Sequence, residues 1–174
     1  MLVSDLKRII REVPDHPKPG ILFYDLTTLF RTPHALGSVV NRMVERFRGD
    51  RIDAVAGIEA RGLVLAAPVA IALGVGLALV RKPGKLPWET LSESYELEYG
   101  RGTLEIHKDA VSPGQNVLVI DDVLATGGTA LATGRLVERL GGRVQAFAFL
   151  AELGFLNGRR AFGGADVFSL VRYD

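Results

Sequence analysis

The sequence predicts an α/β fold, an open and mainly parallel twisted sheet flanked by helices. Strand-like and helix-like segments alternate along most of the 174 residues, which is the order of a parallel sheet with helical crossovers. Residues 62–80 carry no charge, as expected of a helix and a neighbouring strand that are both covered. A strand at 116–122 ends in two acids and precedes a glycine-bearing turn and a helix. In open α/β sheets such strand ends are where ligands bind.

The first half of the chain predicts helices and strands that alternate after an irregular start. Ser4 can cap the first helix, and Thr32 followed by Pro33 is a typical start for the second, amphipathic helix. Three prolines keep residues 14–20 out of regular structure, and residues 21–30 have the mixed polarity of a loop or short strand. The predicted elements are helices at 4–13, at 32–47 and over about ten residues from 62, and strands at 52–58 and 75–81.

The second half predicts a loop, two short strands and a further strand–helix series. Residues 82–101 have little periodicity and predict a long mobile loop that ends in a short strand, whereas 103–111 alternate and predict another short strand. No repeat, low-complexity tract or linker divides the chain, so 1–174 is predicted to be one domain. The remaining predicted elements are strands at 116–122, 143–153 and 166–171, and helices at 126–142 and 156–162.

The composition excludes several kinds of site. The chain has no cysteine, which rules out disulfides, thiolate metal sites and cysteine nucleophiles. Its formal net charge is +1, so no overall field attracts nucleic acid or anionic lipid. His16, His34 and His107 lie far apart, without the spacing of metal ligands. The N-terminal residues alternate acids and bases at helical spacing and do not resemble a signal peptide, which predicts a cytoplasmic protein.

The uncharged run at 62–80 has the length of a membrane span. Pro68 lies within it, and Gly74 and Gly76 mark a stop, after which the pattern becomes strand-like. A helix, a turn and a buried strand therefore fit this run better than a transmembrane helix, and no membrane association is expected.

The stretch VLVIDDVLATGGTA, residues 117–130, is the most informative in the chain. Its turn, Thr126 to Thr129, opens a helix whose free N–H groups and positive dipole end suit a phosphate. Asp121 and Asp122 would repel that phosphate, but they suit neutral hydroxyls or a metal. A sugar phosphate satisfies both requirements. The alternative is a helix cap without a ligand. The rival phosphate loop, GIEARG at 57–62, lacks the Lys-Ser/Thr of a Walker A motif.

The same stretch resembles the phosphoribosyl diphosphate (PRPP) binding motif of type I phosphoribosyltransferases. Other segments are similar, in order and spacing, to the adenine phosphoribosyltransferase family, from about Pro14 onward. They are PKPGILFYDLTTLF, GIEARGLVLAAPVA, VRKPGKLPWET, YELEYGRGTLEIHKDAV and AELGFLNGR. The resemblance implies the type I phosphoribosyltransferase fold, with a flexible loop and with residues 1–30 forming an N-terminal helix and base-binding hood. It implies transfer of the 5-phosphoribosyl group from PRPP to adenine, which gives AMP and diphosphate in purine salvage.

The resemblance also assigns residues to the phosphorylated substrate. A cis peptide is expected between Glu59 and Ala60. Magnesium is implied as the cofactor, held mainly by substrate and water, with no direct side-chain ligation expected. A homodimer is implied, because the basic loop of the family often reaches across a subunit interface. The assigned residues are Asp121 and Asp122 for the ribose, Ala125, Thr126, Gly127, Gly128 and Thr129 for the 5-phosphate, and Glu59, Ala60, Arg61, Arg81 and Lys85 for the diphosphate.

The remaining assignments concern adenine and the chemistry. Glu98 and Arg61 are the implied catalytic residues, and Tyr99 lies on the same flexible loop as Glu98. Tyr24 departs from the family, which has a basic residue after the aromatic one, and Trp88 replaces a smaller residue. The adenine site is assigned to Phe23, to backbone groups of Leu22 and Tyr24, and to Leu153 as an apolar lid. The alternatives are transfer to another purine, such as xanthine or hypoxanthine, a non-catalytic regulator that senses PRPP, and a nucleotide-binding module without chemistry.

Overall fold

The computed structural model describes residues 1–96 and 101–174, which form two sheets, five helices and two 3₁₀ turns. The helices are α1 (Val3–Ile9), α2 (Thr27–Phe30), α3 (Ala35–Phe47), α4 (Arg61–Leu73) and α5 (Gly128–Arg139). The strands are β1 (Arg11–Val13), β2 (Phe23–Asp25), β3 (Ala54–Ile58), β4 (Gly76–Arg81), β5 (Thr90–Glu96), β6 (Arg101–His107), β7 (Asn116–Leu124), β8 (Arg143–Leu153) and β9 (Val167–Tyr173). The 3₁₀ turns are Gly154–Leu156 and Gly158–Phe162.

The main sheet has seven strands in the order β5-β6-β4-β3-β7-β8-β9 within the described residues. The five strands from β4 to β9 in this order are parallel, and β6 joins β4 and β5 antiparallel. The predicted open, mainly parallel α/β fold is therefore confirmed. Because Gly57 of β3 pairs with Ile120 of β7, the loop after β3 and the acids of β7 emerge side by side at one edge of the sheet.

The two faces of β7 pack into two different cores. Leu118 and Ile120 lie in the cluster that contains α3 and α4, whereas Val117 and Val119 lie in the cluster that contains α5. Successive side chains of a strand point to opposite faces. Asp121 and Asp122 follow these residues at the carboxyl end of the strand, next to the first turn of α4.

The N-terminal hood is a two-stranded antiparallel ribbon of β1 and β2. Such a ribbon is marginally stable alone. It is tied to the main sheet by Tyr24, whose buried ring lies 3.9 Å from that of Tyr173 on β9. The preceding helix α1 is tied to the same strand by Lys7, whose Nζ donates to the Arg172 carbonyl at 2.8 Å. The family's basic position is thus filled here by a packing residue.

Two helix starts differ from their predictions. Ser4 is not an N-cap, because α1 begins at Val3 and the Leu2 N–H donates to the Asp5 carboxylate at 3.0 Å. The second predicted helix begins at Ala35 rather than at the Thr32 cap, after His34 in the left-handed conformation. The Thr32 hydroxyl donates to the Thr28 carbonyl, because α2 precedes it and provides an unpaired acceptor.

The prediction of a long loop over 82–101 is wrong where β5 lies. All seven residues of β5 pair with β6 to form a hairpin. Leu91 and Tyr95 of β5 pack against the α5 side of the core, whereas the intervening positions are polar. Tertiary packing on α5, which no local period reveals, stabilises this strand.

The uncharged run at 62–80 forms a helix, a turn and a strand, as predicted. Helix α4 extends to Leu73 through Pro68, and Gly74 ends it in the left-handed conformation. None of the helices formed by residues 1–96 and 101–174 has the length and apolar character that crossing a membrane requires.

Candidate active site

The loop after β3 lies directly against the end of β7. The Glu59–Ala60 peptide bond is cis, as expected, and α4 begins at Arg61. A Cβ on Gly62 would lie 2.9 Å from Asp121 Oδ1 and 3.0 Å from the Ile120 carbonyl oxygen. Only glycine therefore allows the first turn of α4 to approach the acids this closely.

Arg61 and the two aspartates form one charged cluster. The Arg61 Nε lies 2.5 Å from Oδ2 of Asp122, a residue that is only 7% exposed. That oxygen accepts no hydrogen bond within the described residues. Asp121 Oδ1 accepts a hydrogen bond from the Asp122 N–H at 2.8 Å. Burial and the neighbouring Asp122 charge raise the pKa of Asp121 well above its ordinary value, which makes the pair a site for compensating donors or cations.

The turn before α5 encloses a small cavity at the helix N-terminus. Gly127 adopts a φ of +87°, which side chains rarely tolerate. Residues 123–130, Asp121 and Phe149 line a cavity of about 50 Å³. Backbone N–H groups at a helix start suit an anion, so this enclosure has the chemistry that a phosphate requires.

A larger cavity adjoins the same turn. Its volume is about 580 Å³, and Thr126 and Gly128 border both cavities. Its other walls include Tyr95, Glu96 and Arg101 from the β5–β6 hairpin. The hairpin therefore borders the turn directly: a Cβ on Gly128 would lie 3.2 Å from the Glu96 carbonyl oxygen.

Glu59 organises the basic loop that follows β4. Its carboxylate accepts hydrogen bonds from Arg81 Nε at 2.6 Å and from the Lys82 N–H at 2.9 Å. Burial alone would raise the pKa of Glu59, but these two groups lower it below its ordinary value. Arg81 also donates to the Lys85 carbonyl, and the Lys85 side chain is exposed. Glu59 thus fixes the loop through Arg81 and the Lys82 N–H, and the Lys85 side chain remains exposed.

Phe23 lies beside the cluster of Arg61 and the two aspartates. Its half-buried ring is 5.5 Å from the Arg61 guanidinium carbon and 5.1 Å from the His16 ring. Leu22 beside it is exposed. Leu153 is half-buried at the end of β8. Phe23, Arg61 and Asp122 are brought together at one edge of the sheet.

Some assigned residues are not placed, and some neighbours were not anticipated. Glu98 and Tyr99 lie outside the described residues. Among the described residues, no group of three or more histidines and acids could hold a metal ion. Sequence reasoning missed Gly158 and Phe162, which pack against the back of the 125–129 turn. Their only signal is that they lie in or next to the family-like segment AELGFLNGR.

Comparisons with known proteins agree with this architecture. The family model of the phosphoribosyl transferase domain matches residues 29–154. The adenine phosphoribosyltransferase of Anaeromyxobacter dehalogenans (strain 2CP-1) is 58% identical over 172 residues, which cover 99% of this chain and 100% of that protein.

Two solved structures extend the likeness to three dimensions. The adenine phosphoribosyltransferase of Thermoanaerobacter pseudethanolicus is 50% identical with a TM-score of 0.95, covering 98% of this chain and 99% of that one. The enzyme of Saccharomyces cerevisiae, solved in complex with an imino-altritol bisphosphate and adenine, is 41% identical with a TM-score of 0.89 and 97% coverage of both chains. The chain therefore belongs to the adenine phosphoribosyltransferase family.

Proposed function

We propose that this chain transfers the 5-phosphoribosyl group of PRPP to adenine and releases AMP and diphosphate, as a purine-salvage enzyme. The observation that carries the proposal is the convergence of a phosphate-sized enclosure, a pair of adjacent acids and an arginine beside an aromatic ring at one sheet edge. The roles are the 5-phosphate for Ala125, Thr126, Gly127, Gly128 and Thr129, the ribose hydroxyls for Asp121 and Asp122, and adenine for Phe23, Leu22, Tyr24 and Leu153.

The proposed chemistry is a displacement at the anomeric carbon of the ribose. The bond from C1′ to the diphosphate oxygen breaks with oxocarbenium character, and N9 of adenine forms the new bond from the opposite face. Negative charge develops on the leaving diphosphate, where Arg61 supplies a preorganised cation. The backbone of Glu59 and Ala60, with the cations of Arg81 and Lys85, completes the diphosphate site. Glu98 is assigned the role of hydrogen-bonding the purine ring and helping to shuttle the proton that the purine loses. Tyr99 is assigned to the same loop.

Magnesium is the proposed cofactor. The available oxygen donors, the carboxylates of Asp121 and Asp122, are of the kind that Mg²⁺ prefers, and this ion usually keeps several waters and binds through substrate phosphates. Asp122 Oδ2 is already paired with Arg61 Nε at 2.5 Å, which fits an ion held mainly by substrate and water rather than by this carboxylate. PRPP oxygens and water would hold the ion, with the two carboxylates beside it. When bound, it neutralises charge on the leaving group.

Replacement of Phe23 by alanine tests the base platform. Stacking of a base on an aromatic ring contributes roughly 1–3 kcal/mol, so F23A should raise the KM for adenine about 5- to 140-fold. The KM for PRPP should change little, because the phosphate and ribose contacts are elsewhere. Steady-state kinetics with each substrate varied measures both constants. Phe23→Tyr, which keeps a ring, is the control and should restore most of the adenine affinity. Equal losses for both substrates would contradict the assignment.

We further infer a homodimer formed through an apolar patch on α4 and β4. Val64 and Ile71, seven residues apart on α4, are 41% and 80% exposed, and Leu77 and Leu79 on β4 are 37% and 40% exposed. Helix α4 packs beside β4, so the two exposed pairs lie on neighbouring elements. Such exposed apolar clusters mark interaction surfaces. Because β4 leads into Arg81, a partner seated here would approach the basic loop.

A double charge substitution, Ile71→Glu with Leu79→Glu, should convert the dimer into monomers. Two carboxylates would be desolvated in the interface, which is costly. Size-exclusion chromatography with light scattering should show 18.8 kDa for the variant and twice that mass for the unmodified chain. Leu2→Glu, at a residue 67% exposed outside the patch, is the matched control and should leave the dimer intact. A dimeric double variant would place the interface elsewhere.

We also propose that residues 1–174 act as one domain in the cytoplasm, without nucleic acid or membrane partners. The net charge of +1 supports this, because it provides no extended attraction for polyanions. Residues 1–30 are proposed to act as the helix and hood over the base.

A base panel tests the function directly. The protein is incubated with PRPP, Mg²⁺ and each of adenine, hypoxanthine, guanine, xanthine, uracil and orotate, and the nucleotides are separated. AMP as the only product is expected, and its formation should require the metal. Formation of another nucleotide would agree with the proposed phosphate site and contradict the proposed adenine pocket. Binding of PRPP with no nucleotide formed would instead indicate a sensor.

A further inference from the structure

The 125–129 turn is held from behind by the second 3₁₀ turn, Gly158–Phe162. A Cβ on Gly158 would overlap the Ala125 carbonyl oxygen and would lie 2.8 Å from the Thr126 carbonyl carbon. A Cβ on Gly127 would lie 2.7 Å from the Phe162 ring. The two segments are therefore in backbone-to-backbone contact, and a shift of one must move the other.

The 3₁₀ turn itself needs an external anchor. It spans five residues, and short 3₁₀ segments have poor hydrogen-bond geometry of their own. Asn157 before it is left-handed, and Gly163 after it has a φ of +60°. Phe162 packs into the α5 side of the core, but this fixes only one end of the segment.

Arg159 anchors the other end. Its Nε donates to Glu152 Oε1 at 3.1 Å and its Nη2 to Glu152 Oε2 at 2.5 Å, a two-pronged contact with β8. Its Nη1 donates to the Val167 carbonyl at 2.6 Å, and its Nη2 also reaches Ser169 Oγ at 3.2 Å, both on β9. One guanidinium thus ties the 3₁₀ turn to two adjacent strands.

Burial makes this anchor specific. Glu152 is 2% exposed, so its carboxylate depends on the arginine for compensation, and removal of the partner leaves a buried charge. The planar fork of arginine matches a carboxylate in a way that lysine cannot. Arg172 is a much weaker partner, with its Nη1 3.9 Å from Glu152 Oε1.

We propose that Arg159 is a positioning residue for the phosphate turn, acting through Gly158 on Ala125. The inference rests on the proposed function for the identity of the anion, a sugar 5-phosphate. Arg159 itself contacts no part of the enclosure lined by residues 123–130; its effect is to hold the turn in register.

Arg159→Gln should raise the KM for PRPP roughly tenfold, because a turn displaced by a fraction of an ångström loses alignment with the phosphate. The kcat at saturating PRPP should fall less than about threefold, since the reacting groups keep their places. The KM of Arg159→Lys for PRPP should lie between those of the unmodified chain and Arg159→Gln. Arg172→Gln, which removes the distant partner of the same carboxylate and an exposed ion pair with Asp174, should behave as the unmodified chain does.

Gly158→Ala tests the same link without touching the ion pair. Its Cβ must displace the Ala125 carbonyl, so the KM for PRPP should rise as in Arg159→Gln. Gly164→Ala is the matched control, because a Cβ there meets nothing within 4 Å. This pair keeps the test decisive if Arg159→Gln does not fold, which circular dichroism and thermal melting would reveal.

Calorimetric titration with ribose 5-phosphate separates this inference from the proposed function. Weaker binding by both Arg159→Gln and Gly158→Ala, with wild-type affinity in the two controls, supports positioning whether or not AMP is formed. Wild-type affinity in folded Gly158→Ala would overturn it, even if the unmodified chain makes AMP. Failure of the unmodified chain to make AMP would overturn the proposed function. The affinities of the variants for ribose 5-phosphate, relative to that of the unmodified chain, would still test the positioning role of Arg159.

Discussion

Replacement of both Asp121 and Asp122 by asparagine is expected to reduce AMP formation roughly 10³-fold or more, because loss of one preorganised charged group at a reacting centre already costs about 10²–10³. Neutral amides cannot supply the negative charge that the proposed ribose hydroxyls and the metal require. The fold should persist, since both side chains lie at the end of β7 rather than in its apolar clusters. Single-turnover assays with PRPP and adenine measure the loss. Asp109→Asn, at an exposed acid, is the control. Retained activity would remove the ribose assignment.

The single change Asp121→Asn should stabilise the protein at neutral pH while it impairs activity. Burial and the Asp122 charge raise the pKa of Asp121 in the folded state above its ordinary 3.8. The folded state therefore holds this proton more tightly than the unfolded state does. Ionisation of Asp121 removes stability as pH rises from the ordinary value through the raised one, and asparagine does not ionise.

The pH dependence of melting checks this sign. The difference in Tm between D121N and the unmodified chain should grow from acid to neutral pH and vanish below the ordinary pKa. Such opposite effects on stability and activity are typical of functional sites. A variant that is less stable at neutral pH would show that the Asp121 carboxylate is well compensated in the folded state.

Local sequence signals predicted the acid pair and the turn at 125–129, whereas the family resemblance supplied the cis peptide and the role of the loop at Glu59–Ala60. The acid pair, the turn at 125–129 and the loop at Glu59–Ala60 each combine strand end, special backbone and helix start within a few residues. The strand–helix alternation likewise gave the parallel part of the sheet. In these places local propensity and tertiary structure agree.

The features that were missed depend on contacts between distant segments. Strand β5 is stabilised by α5, where Arg135 Nε lies 2.6 Å from Glu93, and its own polar alternation resembles a loop. Gly158 supports the 125–129 turn from more than 30 residues further along the chain, and Arg159 finds its acid on β8. No periodicity within one segment encodes such pairings, so the second layer of the site became visible only in three dimensions.

Replacement of Arg61 by glutamine is expected to lower kcat by roughly 10²–10³, the usual cost of losing one group that stabilises developing charge. Arg61 is the residue on which the separate parts of the site converge. It follows the cis peptide of the proposed diphosphate loop, contacts Asp122 and stands over Phe23. The KM for adenine should also rise, because the guanidinium holds the edge of the proposed base platform.

A second substitution separates the chemical role of Arg61 from its structural role. Arg61→Gln leaves the buried Asp122 without its compensating charge, which should lower the free energy of unfolding, with the effect reduced because Arg61 is about a third exposed. Adding Asp122→Asn removes that carboxylate, so the double variant should regain stability. Its activity should stay low, because neither cation nor acid is restored.

Arg61→Lys keeps the charge without the planar fork and should recover only part of the activity. Thermal melting and kcat are measured for the unmodified chain, Arg61→Gln, Asp122→Asn and the double variant. Melting gives the coupling of Arg61 and Asp122 in stability, and kcat gives their coupling in activity. Parallel recovery of stability and activity in the double variant would mean that Arg61 acts only by compensating Asp122. Recovery of stability alone, with the double variant less active than Asp122→Asn by itself, would support a chemical role for the guanidinium at the proposed diphosphate site.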